Sequence, residues 1–148
     1  MAVASKFDLL AQRVDLFRGL TGEDVAKILA KGMTMRVEKG NVVFFKGTAG
    51  EQMFVVLGGK ISLFDGKKHL VDLHMGDMFG EMALISSEPR SATAVAAEDS
   101  YLFVLSETTF QTLMTKRVAI RILLNIISTL SKRLRDMNAK LRQLQPPP

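Results

Sequence analysis

Cysteine is missing from all 148 residues, which excludes disulfides, thiolate chemistry and cysteine-ligated zinc. Histidine is nearly missing too, with His69 and His74 the only two. Apolar runs stay short, and none approaches the roughly 20 residues that a membrane-spanning helix needs. The first ten residues already carry Lys6 and Asp8 and hold no apolar segment of the kind a secretion signal requires. These absences lead us to expect a cytoplasmic protein with no membrane span. What is present, 47% hydrophobic and 24% charged residues, is the profile of a globular domain with a full-sized core and one extension.

Charge is unevenly spread. The net charge is +5, yet Lys116 to Arg142 alone holds eight Lys or Arg against a single acid, Asp136, so the rest of the chain is slightly acidic. A basic stripe of this kind suits nucleic acid. A solvated helix face is the plainer reading.

Three regions follow from local pattern. In the first, residues 5–31 read as helical, with Phe7, Leu10, Val14 and Phe17 spaced by three and four. Thr21-Gly22-Glu23-Asp24 is a variant capping box that opens a second helix, and Lys31-Gly32 is its stop. From 33 to 106 the chain turns into short strands punctuated by glycine: Thr34–Val37, Val42–Phe45, Met53–Leu57, Lys60–Phe64, His69–Leu73, Ala92–Ala97 and Tyr101–Leu105. Asp65-Gly66 is the best hairpin signal, and so many short strands argue for a sandwich or barrel. Residues 107–115 read as a short helix capped by Ser106 that closes a domain spanning 1–115. A long helix then occupies 116–145, before a proline tail at 146–148. Leu123, Ile127, Leu130, Leu134, Met137, Leu141 and Leu144 alternate by four and three along it, the seam of a coiled coil and hence of a homodimer.

The chemistry gathers between Phe79 and Thr93. Gly80 lets backbone approach a ligand closely, and the turn after it can offer N–H groups to an anion. Arg90 adds a fork of donors matched to phosphate oxygens, while the acceptor Glu81 suits sugar hydroxyls. A ligand with a phosphate on one side and hydroxyls on the other fits both. A surface salt bridge between Glu81 and Arg90 would explain neither Gly80 nor the small residues Ser91 and Ala92.

Phe79-Gly80-Glu81, followed by Ala83-Leu84-Ile85 and Pro89-Arg90-Ser91-Ala92-Thr93, resembles the phosphate-binding cassette of the cyclic nucleotide-binding domain family. Leu16-Phe17-Arg18-Gly19-Leu20-Thr21 is similar to that family's helical signature, and Gly47 and Gly59 fall where it has turn glycines. The closest pattern is the sensor half of catabolite activator protein-like bacterial regulators, without their helix-turn-helix domain. The resemblance implies a mainly β fold with flanking helices: an antiparallel β jelly-roll barrel, N-terminal helices and a long C-terminal coiled-coil helix. It further implies that Glu81 holds the ribose 2′-hydroxyl and Arg90 the cyclic phosphate, with Gly80, Met82, Ala83, Ser91 and Ala92 completing the anion cradle. Val71, Leu73, Phe79 and Leu63 would be pocket walls, though ordinary core packing accounts for any one of them. Asn138 would read the base, some of these contacts crossing from the opposite subunit. Met137 departs from the hydroxyl residue usual there, and Asn138 could equally be a solvated flank of the coiled coil. Serine at position 91 leans toward cyclic AMP over cyclic GMP.

Three functions from different classes follow. The first is a regulatory module that senses a cyclic nucleotide, dimerises through Leu123, Ile127, Leu130, Leu134, Met137 and Leu141, and signals by moving its long helix. It would act on a downstream protein partner or be a fragment of a DNA-binding regulator, since no DNA-binding module follows the helix in this chain. The second is a cupin-like metal enzyme using His69, His74, Asp77 and Glu81. The histidines are five apart, however, and point to opposite faces of a continuous strand, so no metal and no catalysis are expected. The third is a dimerisation domain with a vestigial pocket, which leaves the intact Glu81 and Arg90 pair without a purpose.

Overall fold

The computed structural model describes residues 5–86 and 88–145, and the expected proline tail lies outside them. Three helical pieces come first. Helix α1 (Lys6–Arg13) and helix α2 (Gly22–Lys31) flank a 3-10 turn at Asp15–Phe17. The helical spacing of Phe7, Leu10, Val14 and Phe17 is therefore broken at Val14, whose extended backbone caps α1 and starts the turn. Both helices open with a reciprocal capping box, Ser5 with Asp8 and Thr21 with Asp24, which satisfies otherwise orphaned N–H groups.

Eight strands follow: β1 (Met33–Val37), β2 (Val42–Phe44), β3 (Gln52–Gly58), β4 (Ile61–Asp65), β5 (Lys68–Leu73), β6 (Met78–Phe79), β7 (Thr93–Ala96) and β8 (Ser100–Ser106). Helix α3 (Met82–Ile85) interrupts them, and α4 (Glu107–Leu113) and α5 (Lys116–Leu144) end the chain. The strands form two antiparallel four-stranded sheets, ordered β1-β8-β3-β6 and β2-β7-β4-β5. Pairing β1 with β8, β2 with β7, β3 with β6 and β4 with β5 is one long hairpin rolled up, which is jelly-roll topology. Among the described residues hydrogen bonding does not join the two sheets at their edges.

Burial explains why β3 and β8 read as unbroken apolar runs. Phe54, Val56, Leu102 and Val104 point between the sheets, into a core shared with Val37, Ile61, Leu73, Phe79, Ala94 and Ala96. Met53, Val55, Phe103 and Leu105 point the other way, into a second core with Leu16, Phe17, Ile28, Ile122 and Ile126 from the helices. Strands covered on both faces lose the polar alternation of a half-exposed sheet.

Helix α5 lies against that second core through one stripe. Val118, Ile122 and Ile126 are fully buried and Leu123 and Leu130 partly so. Asn125, also buried, donates to the carbonyls of Leu16 at 2.7 Å and Arg18 at 2.8 Å, tying α5 to the 3-10 turn. At its start Arg117 grips Asp24 through two N–H groups, at 2.6 and 3.1 Å. Ile120, Leu124, Ile127, Leu134, Met137, Leu141 and Leu144 are all exposed.

Candidate functional site

Gly80 sits in the left-handed region, φ +73°, where a side chain is disfavoured. A Cβ there would also lie 2.7 Å from Arg90 Nη1 and 3.3 Å from the carbonyl of Gln52, so glycine is required twice. The positive φ turns the chain out of β6 into α3, which begins beside Glu81. Within the turn, the Ala83 N–H donates to the Gly80 carbonyl at 3.2 Å and that of Leu84 to the Glu81 carbonyl at 3.0 Å.

Arg90 is held from several sides. Its backbone forms two clips to the β2–β3 loop, Arg90 N–H to Thr48 O at 2.9 Å and Gly47 N–H to Arg90 O at 2.8 Å. Its guanidinium donates from Nη2 to the Gln52 carbonyl at 2.7 Å and from Nη1 to the Gly80 carbonyl at 3.2 Å. Its Nε–H is buried with no partner among the described residues. Burial pushes the Arg90 pKa down, and the negative charge of Glu81 opposes that shift.

Glu81 is buried and faces a second cation. Arg133, from the long helix, reaches to within 3.7 Å of its carboxylate and donates to the Met78 carbonyl at 2.6 Å. Val118, Ile122, Ile126 and Leu130 step by four along the domain-facing stripe, and Arg133, three residues after Leu130, continues that face.

A cavity of about 150 Å³ lies among these groups, lined by Phe79, Gly80, Glu81, Met82, Ala83, Arg90, Ser91 and Ala92 from the cassette and by Arg133 from α5. Leu63 and Phe44 supply apolar wall. Of the residues named from sequence, the structure thus brings together the whole cassette set. It does not bring in three others. Leu73 is 5% exposed and belongs to the inter-sheet core, its side being fixed by the β4–β5 register, where it faces Ile61. Val71 lies opposite Leu63 in the ladder but is 43% exposed and does not border the cavity. Asn138 is exposed, past the point where α5 leaves the domain.

Phe44 went unread in the sequence, where it looks like any strand residue. Arg133 opens the helix segment, 133–138, that the resemblance sets against the base, but its meeting with Glu81 was not legible there. Of the residues considered for a metal, His69 contacts Asp72 at 2.7 Å, and the Asp77 carboxylate accepts the backbone N–H of His74 at 2.8 Å. No group of three potential ligands among the described residues could hold a metal ion. No described helix is long and apolar enough to cross a membrane.

Comparison with known proteins bears directly on this cavity. A family model described as cyclic nucleotide-binding domain matches residues 34–117. The cyclic AMP receptor protein of Thermus thermophilus is 32% identical over 131 residues, covering 85% of this chain and 60% of that protein. A cyclic nucleotide-gated potassium channel of Rhizobium etli is 38% identical over 104 residues, covering 70% of this chain and 29% of the channel. The crystal structure of Thermus thermophilus catabolite activator protein superposes with a TM-score of 0.76 at 32% identity, over 88% of this chain and 62% of that one. The chain thus spans 60% of one of these curated relatives and under a third of the other.

Proposed function

The chain belongs to the cyclic nucleotide-binding domain family, and from that premise we propose that it is a regulatory module sensing cyclic AMP in the cavity between its cassette and its long helix. The observation that carries this reading is the meeting of Glu81, Arg90 and Arg133 around one space. Arg90 takes the cyclic phosphate, since it is the only cation within the cassette. Glu81 accepts from the ribose 2′-hydroxyl. Serine at position 91 favours cyclic AMP, and cyclic GMP is the competing ligand.

Signalling follows from the third residue. Arg133 joins Glu81 to α5, so a ribose hydroxyl that claims the carboxylate competes with the helix for it. The present cavity, about 150 Å³, is smaller than the roughly 300–1,000 Å³ of ordinary ligand clefts, so a nucleotide must also push this junction apart. A ligand that binds the released junction better than the docked one shifts the position of α5 by mass action. On this reading the chain is a binding module.

Dimerisation supplies the readout. From 134 to 145 every residue is exposed, and an isolated helix of that length is marginal in water. Ile120, Ile127, Leu134 and Leu141 recur every seven residues on its exposed side, with Leu124 between the first two. That stripe, facing a second copy, is the proposed seam. It retains Ile127, Leu134 and Leu141 from the sequence pattern, with Met137 at its margin. Leu123 and Leu130 turn instead toward their own domain. Asn138 falls four residues after Leu134 on this face, within reach of a partner helix. The output is a partner protein, or a DNA-binding module if the chain is part of a longer regulator.

Calorimetry with cyclic AMP and cyclic GMP on the wild type and on Glu81→Ala tests the reading. Glu81→Ala should weaken cyclic AMP by about 1.5–3 kcal/mol, and 2′-deoxy cyclic AMP by much less. Absence of binding to either nucleotide would sink the proposal.

A further inference from the structure

The guanidinium of Arg90 rests on an aromatic surface that lies outside the cassette. Its central carbon is 4.3 Å from the ring centroid of Phe44 and 5.7 Å from that of Phe54. The Phe44 ring is itself braced by Phe54 and Phe79, with centroids 5.7 and 5.9 Å away, and those two stack on each other at 5.1 Å. The aromatic group therefore has a fixed place, set by β2, β3 and β6 together.

We propose that Phe44 is a positioning residue for Arg90, holding the guanidinium at the rim of the cavity in a way that leaves its donors usable by a phosphate. This rests on the reading of Arg90 as the phosphate ligand. The argument turns on which hold survives ligand binding. The backbone clips to Thr48 and Gly47 fix where the side chain starts, but not where its end goes. The bonds to Gln52 and Gly80 fix the end, but each occupies an N–H that a phosphate would otherwise receive. A ring contacting the central carbon uses no N–H at all. Of the holds on Arg90, the aromatic one alone adds to phosphate binding without competing with it. Cation–ring attraction also grows as the cation loses water, and Arg90 is half-buried.

The experiment uses Phe44→Leu and Phe44→Met, which remove the ring and keep apolar volume, and Phe44→Tyr, which keeps the ring. In the ligand-free protein, 15N relaxation of the Arg90 Nε reads positioning directly. It should report a rigid side chain in the wild type and Phe44→Tyr and a measurably more mobile one in Phe44→Leu and Phe44→Met, where only the bonds to Gln52 and Gly80 still hold its end. Cyclic AMP affinity, followed by NMR titration so that weak variants stay in range, should fall about 2- to 30-fold for Leu and Met. It should stay within about twofold for Tyr. In an Arg90→Gln background the Phe44→Leu change should have no further effect on affinity, whereas a general packing role would persist there. Equal rigidity of Arg90 in all variants overturns the proposal, as does an affinity loss of the same size in the Arg90→Gln background, or a mobile Arg90 with unchanged affinity. If the wild type binds no cyclic nucleotide, the ligand reading fails and the affinity role with it, while the relaxation data still decide whether Phe44 holds Arg90.

Discussion

Gly50 offers a perturbation aimed at Arg90. It lies in the loop before β3, with φ outside the left-handed region, so alanine is acceptable to the backbone. A Cβ added there would stand 2.2 Å from Arg90 Nε, 2.3 Å from Cζ and 2.4 Å from Nη2. The guanidinium must therefore move, and the Nη2 bond to the Gln52 carbonyl goes with it. Losing a hydrogen bond from a charged group costs about 1.5–3 kcal/mol. Against this, alanine restricts the unfolded chain and stabilises by about 0.4–1 kcal/mol. Destabilisation wins, by about 1–2 kcal/mol, which lowers Tm by roughly 2–8 °C for a domain of this size. Cyclic AMP affinity should fall further, about 10- to 100-fold, because a displaced Arg90 forfeits much of a phosphate contact worth roughly 2–5 kcal/mol. Gly58→Ala is the control, since its added Cβ meets nothing closer than Tyr101 at 3.8 Å. Calorimetry and thermal unfolding on the two variants decide the matter. If Gly50→Ala behaved like Gly58→Ala, with no loss of affinity, the guanidinium could not be packed against Gly50, and the account of how Arg90 is held would be wrong.

Three other outcomes are expected. Leu134→Glu should convert a dimer into a monomer in sedimentation velocity and leave the thermal transition of the sheets unchanged, because Leu134 is 59% exposed and its copies would become unpartnered like charges at the seam; a variant that stayed dimeric would exclude this face. The Arg117 guanidinium holds Asp24 down from the usual 3.8 to about 2, so this pair's stabilisation is fully present above about pH 4 and is lost as pH falls toward 2. Arg117→Met should remove that part of the acid sensitivity, with only a small loss of stability near neutrality because solvent screens Arg117, and a denaturation series against pH that showed no difference between the two proteins would contradict it. Asn125→Asp should destabilise by more than about 2 kcal/mol in urea, since a carboxylate would face two carbonyls that now receive N–H groups; wild-type stability would disprove the tie.

Local chemistry was legible and tertiary facing was not. The cassette declared itself because Gly80, Glu81 and Arg90 each have a conformational or ionic reason to stand at that spacing. The Thr21 cap could likewise be read from four residues. The two-residue strand β6 is too short for any alternation to reveal, and Phe44 could not be told from its neighbours, since alternation gives a face but not the cation that will meet it. Helix α5 shows the limit most clearly. Its apolar residues support two overlapping seams, one through Leu123 and Leu130 and one through Ile120 and Leu124, and spacing alone does not choose between them. Packing chooses: Ile122 and Ile126 fill the helix-side core completely, and this drags Leu123 and Leu130 toward the domain and leaves Ile120, Leu124 and Ile127 outside. The same rotation carries Arg133, seven residues after Ile126, onto the line that ends at Glu81. One fact, the burial of two isoleucines, thus settles both which face of the helix is left exposed and which cation is set over the cavity. A ligand that disturbed Arg133 would act on the helix at the place where its domain-facing stripe gives way to its free end.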